Sequence, residues 1–409
     1  MTTLDWLISV DDHLIEPPDL WVSRASAAER DRVPKVSREN GIDTWRYEDT
    51  VSRLQGFIAC AGMEPGTFTP DPINYDDPIM RPGYTSSLER IHDMDADHVM
   101  ASLCFPTVPR LVGQMFQGAK DRQLSLRCIQ MWNDFQVEEW AAPAPGRFIP
   151  LMLLPMWDPF DAAVEIERCA AMGTKAICFS ENPHALGFPS IHDESGYWDP
   201  VLRAANDAGL PLTIHFGSSS AVPTTSPDAP LMVSATLVPM NLAYCMTDWL
   251  WSGQLQKYPD LKICLAEGGI GWIPYILERA QNIQRMYLYA KENDFRIDMM
   301  TGELTKREMK LDMDTPIRQL YDDHIFGCFI DDRFGSEHLE ACGVDNVMIE
   351  TDYPHSDGTW PRSLANARER LTDCTDEVVY KVTQGNARRV FRLETEIYRT
   401  PESATEVSA

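Results

Sequence analysis

Two polar side chains of the kind that bind metal ions follow the first apolar run of the chain. Residues 7–10 are mostly apolar and lead directly into Asp11, Asp12 and His13. Because successive side chains of a strand point to opposite faces, Asp11 and His13 share one face and Asp12 takes the other. A carboxylate and an imidazole on one face at a strand end form half of a metal site. The structural alternative is an acidic turn that ends the strand.

Further carboxylates and imidazoles follow later apolar runs at comparable positions. They are Glu181, His215, Glu267, Asp352 and His355. Each has a structural alternative, such as a loop or helix cap for the two glutamates, a hydrogen-bonded core position for His215 and a turn for Asp352. Three of the nine histidines fall at such positions, where about one is expected by chance. This coincidence favours a shared metal site.

The apolar runs themselves predict the elements that bring these residues together. Eight short apolar segments alternate with helical segments, which is typical of parallel strands joined by crossover helices. The predicted fold is an α/β protein, a (β/α)8 TIM-type barrel with an N-terminal insertion and long rim loops, whose active site lies where the strands end. A doubly wound sheet is the alternative, but no Gly-rich phosphate turn follows the first strand. The predicted strands are residues 7–10, 99–105, 148–154, 176–179, 212–214, 261–265, 325–329 and 347–349.

The chain is predicted to be one domain. Residues 1–399 of the 409 form the barrel, and residues 27–85 form an insertion rich in proline, glycine and charged residues. Within this insertion, residues 44–49 and 57–59 are expected to pair as a hairpin. Residues 400–409 are polar and are predicted to be a disordered tail.

Composition limits the classes of partner. The formal net charge of -26 argues against nucleic acid and anionic membranes as partners. The N-terminal residues lack the features of a signal peptide, and no run of about 20 apolar residues spans a membrane. The ten cysteines form no Cys-x-x-Cys pair, as is typical of buried reduced thiols, so the predicted location is the cytoplasm. Residues 237–255 are either a core helix or an interface helix, and a homo- or hetero-oligomer is expected.

The chain resembles the amidohydrolase-related family, the branch of the amidohydrolase superfamily that includes the 2-amino-3-carboxymuconate-semialdehyde and γ-resorcylate decarboxylases. The resemblance covers most of the chain and is carried by the motifs Asp11-Asp12-His13-Leu14-Ile15-Glu16-Pro17, His215-Phe216-Gly217, Glu267-Gly268-Gly269-Ile270-Gly271-Trp272-Ile273-Pro274, Asp352-Tyr353-Pro354-His355 and Asn386-Ala387-Arg388-Arg389-Val390-Phe391. It implies a metal-bearing (β/α)8 barrel with the ligands Asp11, His13, His215 and Asp352, and with Glu181 at the position of a carboxylate that bridges two ions. The decarboxylases of this branch use a histidine for acid–base catalysis where this chain has Glu267. This departure argues against simple decarboxylation.

The complete set of candidate metal ligands is Asp11, His13, Glu181, His215, Glu267, Asp352 and His355. Such a mixed shell fits one or two divalent ions. Carboxylates shift the preference toward Mn²⁺ and Fe²⁺, while imidazoles also suit Zn²⁺.

The first functional hypothesis is a metal-dependent hydrolase that acts on a small amide, lactone or organic acid through metal-activated water. Asp352 would take the proton of the water, and Glu267 or His355 would protonate the leaving group. The alternatives are a dinuclear Fe or Mn/Fe monooxygenase, a non-oxidative decarboxylase and a non-catalytic partner subunit. The substrate is expected to be a small molecule with an apolar part, because Trp45, Phe57 and the Met-rich residues 217–246 are candidates for the pocket wall.

Overall fold

Parallel strands form a (β/α)8 barrel in the computed structural model, which describes residues 5–288, 291 and 293–393. The strands along the chain are β1 (Leu7–His13), β2 (Lys35–Glu39), β3 (Ile42–Tyr47), β4 (Thr50–Ser52), β5 (Val99–Phe105), β6 (Phe148–Ile149), β7 (Leu151–Met152), β8 (Ala176–Cys178), β9 (Leu212–His215), β10 (Ile263–Ala266), β11 (Asn293–Ile297), β12 (Leu304–Glu308), β13 (Ile325–Phe329) and β14 (Val347–Ile349). β6 and β7 are two parts of the third barrel strand, separated by Pro150. All eight predicted strands are confirmed.

Neighbouring barrel strands follow one another in chain order. β5 lies between β1 and β6, and the other strands pair in the order β7, β8, β9, β10, β13 and β14, every pair being parallel. The first and last strands meet just beyond their ends. There the backbone N–H of Asp352 donates to the Asp11 carbonyl at 2.9 Å, and that of His13 donates to the Tyr353 carbonyl at 2.7 Å.

The barrel strands are apolar along most of their length because both of their faces are covered. Every residue of β1, β9, β10, β13 and β14 is buried. A parallel strand of a barrel packs one face into the barrel interior and the other against the surrounding helices, so it shows little polar alternation. Polar side chains are therefore conspicuous where these runs end.

The helices alternate with the barrel strands and cover them. They are α1 (Leu20–Arg24), α2 (Ser87–Ala96), α3 (Gln114–Gln117), α4 (Arg122–Phe135), α5 (Pro159–Met172), α6 (Asp199–Ala208), α7 (Leu231–Leu237), α8 (Met240–Trp251), α9 (Gln254–Lys257), α10 (Ile273–Met286), α11 (Ile317–His324), α12 (Arg333–Glu337), α13 (Leu339–Cys342), α14 (Ser363–Arg370), α15 (Asp376–Tyr380) and α16 (Asn386–Val390). α5 shows how the sequence sets their limits. The Asp158 side chain accepts hydrogen bonds from the first backbone N–H groups, and the helix stops at Gly173, whose φ is +104°.

The apolar segment at residues 237–255 is part of the core. It contains the whole of α8, and Trp249 on this helix is buried with its ring 6.2 Å from that of Phe179. Within the described residues, no helix combines the length and the apolar character needed to cross a membrane.

The insertion between β1 and β5 carries a small antiparallel sheet in the order β2, β3, β4. The predicted pairing of residues 44–49 with residues 57–59 is wrong, because β3 pairs with β2 and β4 while Gly56–Ile58 forms one turn of 3-10 helix. Trp45 of β3 is buried against Trp21, with ring centroids 5.5 Å apart. The predicted tail at residues 400–409 lies outside the described residues.

A second departure from the sequence pattern follows β10. The apolar spacing predicts a helix over residues 273–292, whereas α10 ends at Met286 and an antiparallel hairpin of β11 and β12 follows. Every residue of β12 is exposed. A strand with no buried face leaves no alternation in the sequence, so this hairpin could not be predicted from the pattern.

Candidate metal centre

Six of the predicted site residues converge at the carboxyl end of the barrel. Asp11 and His13 belong to β1 and His215 ends β9, while Glu267 follows β10 and Asp352 and His355 follow β14. Their ligand atoms form two groups, each with all atoms within 4.8 Å of one another. The first group is Asp11, His13, His215 and Glu267, and the second is His13, Asp352 and His355.

The two buried imidazoles face each other across the centre of the site. The Nε2 atoms of His13 and His215 are 3.2 Å apart, and His13 Nε2 lies 3.5 Å from Asp11 Oδ1 and 3.4 Å from Asp352 Oδ1. Nδ1 of His215 contacts the Phe216 carbonyl, which assigns the proton to Nδ1 and leaves the lone pair of Nε2 directed inward. Lone pairs and carboxylate oxygens that converge in this way repel one another unless a cation lies between them.

The carboxylates of Asp11 and Asp352 are fully buried, and in the described part of the chain none of their oxygens accepts a hydrogen bond. The polar atoms that face them are imidazole nitrogens at 3.2–3.5 Å. Burying a carboxylate without a partner costs several kcal/mol, and proteins meet this cost with a paired charge or a metal ion. The donor set therefore fits a divalent cation.

The pKa values in the cluster reflect the same excess of negative charge. Burial, followed by the nearby carboxylates of Glu350 and Glu267, raises the pKa of Asp11 well above its ordinary value. Burial and the charge of Asp352 raise the pKa of Glu267 to about 7. Burial also opposes ionisation of Asp352, but the imidazoles of His355 and His13 outweigh it and hold the pKa of Asp352 below its ordinary value.

The two histidines that face each other shift in opposite directions. Burial and the neighbouring His355 lower the pKa of His13 well below its usual value. Burial also disfavours the charged form of His215, but Glu267, whose Oε2 lies 2.9 Å from Nε2, reverses this effect and raises the pKa of His215. The lowered pKa of His13 favours the neutral imidazole, which is the form that binds a metal ion.

Two of these residues have an unusual backbone conformation. Glu267 has a φ of +63° and Asp352 a φ of +49°, in the left-handed region that residues other than glycine rarely adopt. Such conformations cost about 1–3 kcal/mol and cluster at functional sites. The backbone is therefore strained at the two turns that carry these carboxylates into the site.

Glu181 lies outside both groups of ligand atoms. Its Oε2 accepts a hydrogen bond from Gly217 N at 2.9 Å. Its Oε1 accepts from Asn241 Nδ2 at 3.0 Å and from the backbone N–H and hydroxyl of Ser219. Both oxygens are occupied by donors from the loop after β9 and from the start of α8, so the structure does not bring this predicted ligand to the site.

Glu350 is not among the predicted site residues, but it directly follows β14 and lines the same cavity. Its Oε2 accepts from the backbone N–H of Glu267 at 3.0 Å, and its Oε1 is buried with no partner among the described residues. Glu350 precedes Asp352 by two positions, and strand alternation places such residues on one face. That spacing is the signal that could have identified it.

Two other acidic residues of the first motif support the barrel. Asp12 points away from the site and accepts from the Thr351 hydroxyl at 2.6 Å, from Tyr353 N at 3.0 Å and from the Ser102 hydroxyl. Glu16 accepts from Val108 N at 2.8 Å and from the indole N–H of Trp132 at 2.9 Å. The orientation of Asp12 agrees with the predicted alternation, and the contacts of Glu16 hold the loop that follows β1.

The site lies at the floor of a cavity of about 1630 Å³. Apolar side chains line much of its wall, including Phe57 of the insertion, Phe216 after β9 and Leu231 of α7. Trp45, the other aromatic residue predicted for the wall, is in the core instead. The rim carries the cations Arg53, Arg110 and Arg333. This arrangement suits a small molecule with an apolar part and an acidic group.

The chain belongs to the amidohydrolase family, whose sequence model matches residues 18–393. It is 29% identical over 284 residues to the gamma-resorcylate decarboxylase of Polaromonas sp. (strain JS666 / ATCC BAA-500), covering 64% of this chain and 75% of that enzyme.

Solved structures share the fold. An amidohydrolase from Mycobacterium avium subsp. paratuberculosis K-10 superposes with a TM-score of 0.67 at 18% identity, covering 95% of this chain and 100% of that chain. The dihydroxybenzoic acid decarboxylase from Polaromonas sp. JS666, solved with bound manganese and the inhibitor 2-nitroresorcinol, gives a TM-score of 0.58 at 18% identity, covering 95% of this chain and 98% of that chain. The named relatives favour the decarboxylase alternative over the hydrolase hypothesis.

Proposed function

We propose that this protein is a divalent-metal-dependent enzyme that removes the carboxylate of a small aromatic acid as CO₂. The observation that carries the proposal is the pair of buried carboxylates, Asp11 and Asp352, that accept no hydrogen bond from the described residues and face His13 and His215 at the floor of a partly apolar cavity. The likeness to decarboxylases that act on dihydroxybenzoates selects this reaction from those the site could support.

The residues that would hold the ion are Asp11, His13, His215 and Asp352. A bound divalent ion would supply positive charge to orient the oxygen atoms of an acidic substrate and stabilise negative charge that develops there. The side chains of the cavity wall would then determine the position of the substrate's aromatic ring. Phe57, Phe216 and Leu231 of the cavity wall offer it an apolar surface.

Decarboxylation needs a proton donor, because the ring carbon that loses CO₂ must gain a proton. Glu267 fits this role by position, because it follows β10 at the carboxyl end of the barrel and lines the cavity. It contacts His215 Nε2 at 2.9 Å. A carboxylic acid at this position would supply the proton in place of the histidine that related decarboxylases use, and the departure at this position then no longer argues against the reaction.

The retained second candidate is hydrolysis. Asp352 lies 3.2 Å from His355 Nδ1 and 3.4 Å from His13 Nε2, and the neighbouring His355 is the largest effect that lowers the pKa of Asp352. A buried carboxylate that stays ionised is suited to accept the proton of a water nucleophile. The dinuclear monooxygenase hypothesis rested on the carboxylate-rich shell, including Asp11, with Glu181 as the candidate bridge between two ions. The donors that occupy both oxygens of Glu181 count against that bridge.

The test is product analysis with metal-loaded protein. Protein reconstituted with Mn²⁺, and in parallel with Zn²⁺ and Fe²⁺, is incubated with a panel of hydroxybenzoic acids in D₂O. We expect CO₂ release and one deuterium at the carbon that carried the carboxylate. Ring opening of small lactones to hydroxy acids, or release of an amine from small amides, with no CO₂ from any acid of the panel, would replace decarboxylation by hydrolysis.

A further inference from the structure

The cavity wall contributed by residues 217–241 is weakly packed for a segment so close to the site. It runs from just after His215 through α7, and we refer to these residues as the wall segment. None of the α7 residues is buried, and Leu231 and Met232 are 76% and 70% exposed. Even so, Leu231, Ser234 and Val238 line the cavity. Apolar packing contributes little here, so polar contacts at the ends of the segment must hold it.

Both ends of the wall segment are bound to one carboxylate. Glu181 accepts from Gly217 N at 2.9 Å and from the Ser219 side chain at the beginning of the segment, and from Asn241 Nδ2 at 3.0 Å at its end. Asn241 Nδ2 also donates to the Ala221 carbonyl at 2.9 Å. Two points separated by the whole of α7 therefore meet at a single buried side chain.

A further contact joins the segment to the opposite wall. Gln114 Nε2 donates to the Ser218 carbonyl at 3.0 Å, and Gln114 itself lines the cavity. The Glu181 backbone N–H donates to Ser218 Oγ at 2.9 Å. This last bond does not involve the carboxylate, so it remains when the Glu181 side chain is changed.

We infer that Glu181 is a positioning residue that clasps the two ends of the wall segment, and that it does so in place of binding metal. The clasp holds the cavity wall over the site and fixes the turn that follows His215. The expected effect on substrate affinity rests on the proposed function. The positioning of the wall segment and the absence of a metal contact do not depend on it.

The chemistry of the carboxylate makes the clasp specific. Within the described part of the chain, the four groups that hydrogen-bond to its oxygens are all donors. A glutamine at this position has the same shape but replaces one acceptor oxygen with an NH₂ group. Whichever way the amide is oriented, its donor faces Gly217 N on one side or Ser219 and Asn241 on the other. Glu181→Gln therefore breaks at least one end of the clasp without leaving a cavity.

The experiment compares Glu181→Gln with Asp11→Asn in the full chain, using two readouts that need no substrate. Bound Mn²⁺ per chain is measured by elemental analysis, and hydrogen exchange of residues 217–241 is followed by mass spectrometry. We expect Glu181→Gln to retain the Mn²⁺ of the wild type while amides of the wall segment exchange about tenfold faster, the effect of losing one or two hydrogen bonds. Asp11→Asn should lose Mn²⁺ with little change in exchange of the segment.

Asn241→Ala removes the contact at one end only and serves as the second variant if Glu181→Gln does not fold. It should retain Mn²⁺ and accelerate exchange in the same residues. Loss of Mn²⁺ from Glu181→Gln, or unchanged exchange in both variants, would overturn the clasp.

With an aromatic acid that the wild type decarboxylates, Glu181→Gln should raise KM about tenfold and change kcat less, because the wall, not the reacting groups, is disturbed. Absence of decarboxylation in the wild type would reject the proposed reaction and leave the exchange and Mn²⁺ results standing.

Discussion

Buried carboxylates of two kinds lie at the same end of this barrel. Asp11 and Asp352 accept no hydrogen bond from the described residues, whereas Asp12 and Glu181 accept several each. All four are buried. Burial alone therefore does not distinguish a candidate metal ligand from a structural carboxylate. The supply of donors does, because a carboxylate surrounded by N–H and O–H groups is already stabilised, while one that lacks them needs a cation.

The comparison is sharpest between neighbours in the chain. Asp11 and Asp12 share the strand β1 and are both fully inside the protein. Alternation sends Asp11 toward His13 and His215, and Asp12 toward Ser102 and the last strand. A single position in the sequence thus separates a proposed ligand from a structural residue.

The largest expected effect comes from removing the negative charge of Asp11 and of Asp12 in separate variants. Asp11→Asn should reduce decarboxylase activity about 10³-fold, equivalent to about 4 kcal/mol, because it removes a charged ligand. Asp12→Asn should retain metal and most activity but destabilise the fold by about 1–3 kcal/mol, since its NH₂ group meets a donor. Metal content, initial rates and urea unfolding measure the three quantities. Loss of metal from the Asp12 variant, but not from the Asp11 variant, would contradict the distinction.

The next effect concerns Glu16, a buried carboxylate with donors whose pKa burial nevertheless raises from 4.5 to about 7. Between these values the folded protein binds this proton more tightly than the unfolded chain does, so stability falls as pH rises toward 7 and levels off above it. The loss amounts to roughly 3 kcal/mol, at about 1.4 kcal/mol for each unit of pKa. Urea unfolding between pH 5 and pH 8 should show that the free energy of unfolding of Glu16→Gln increases relative to that of the wild type as pH rises. A difference independent of pH would count against this assignment.

A smaller effect is expected from the metal itself. Mn²⁺ added to metal-free protein should raise the unfolding temperature, since an ion that binds only the folded state stabilises it by about 2.7 kcal/mol at one hundred times its Kd. Asp352→Asn should abolish the shift, and Glu181→Gln should preserve it. Differential scanning fluorimetry with Mn²⁺, with Mg²⁺ as a control for ionic strength, provides the measurement. An equal shift of the unfolding temperature in the wild type and the Asp352 variant would mean that the stabilising ion binds elsewhere.

The barrel and most of the site could be predicted because apolar strands end in residues that stand out from them. His215 and Asp352 each follow a run buried on both faces, and the ends of parallel strands meet. Glu181 follows the same rule, and the rule placed it among the ligands. Its true partners, Gly217 and Asn241, lie 36 and 60 positions further along the chain. Nothing local in the sequence indicates that they return to it.

Other features left no usable pattern. β2 is mostly exposed or half-buried, so the partner of β3 could not be recognised by alternation. Glu350 directly follows the apolar residues of β14, and the more distant Asp352 was taken as the residue that this strand brings to the site. In both cases tertiary contacts, not local propensity, determine the structure.

The junction of β1 and β14 has a consequence for biosynthesis. Ser9 and Thr351 are hydrogen-bonded although 342 positions apart, and the same junction places Asp352 beside His13. A chain emerging from the ribosome therefore exposes the first two proposed ligands long before the last is made. Ion capture by the complete set must wait until the barrel has closed on its own first strand, so bound metal would mark molecules that have finished folding.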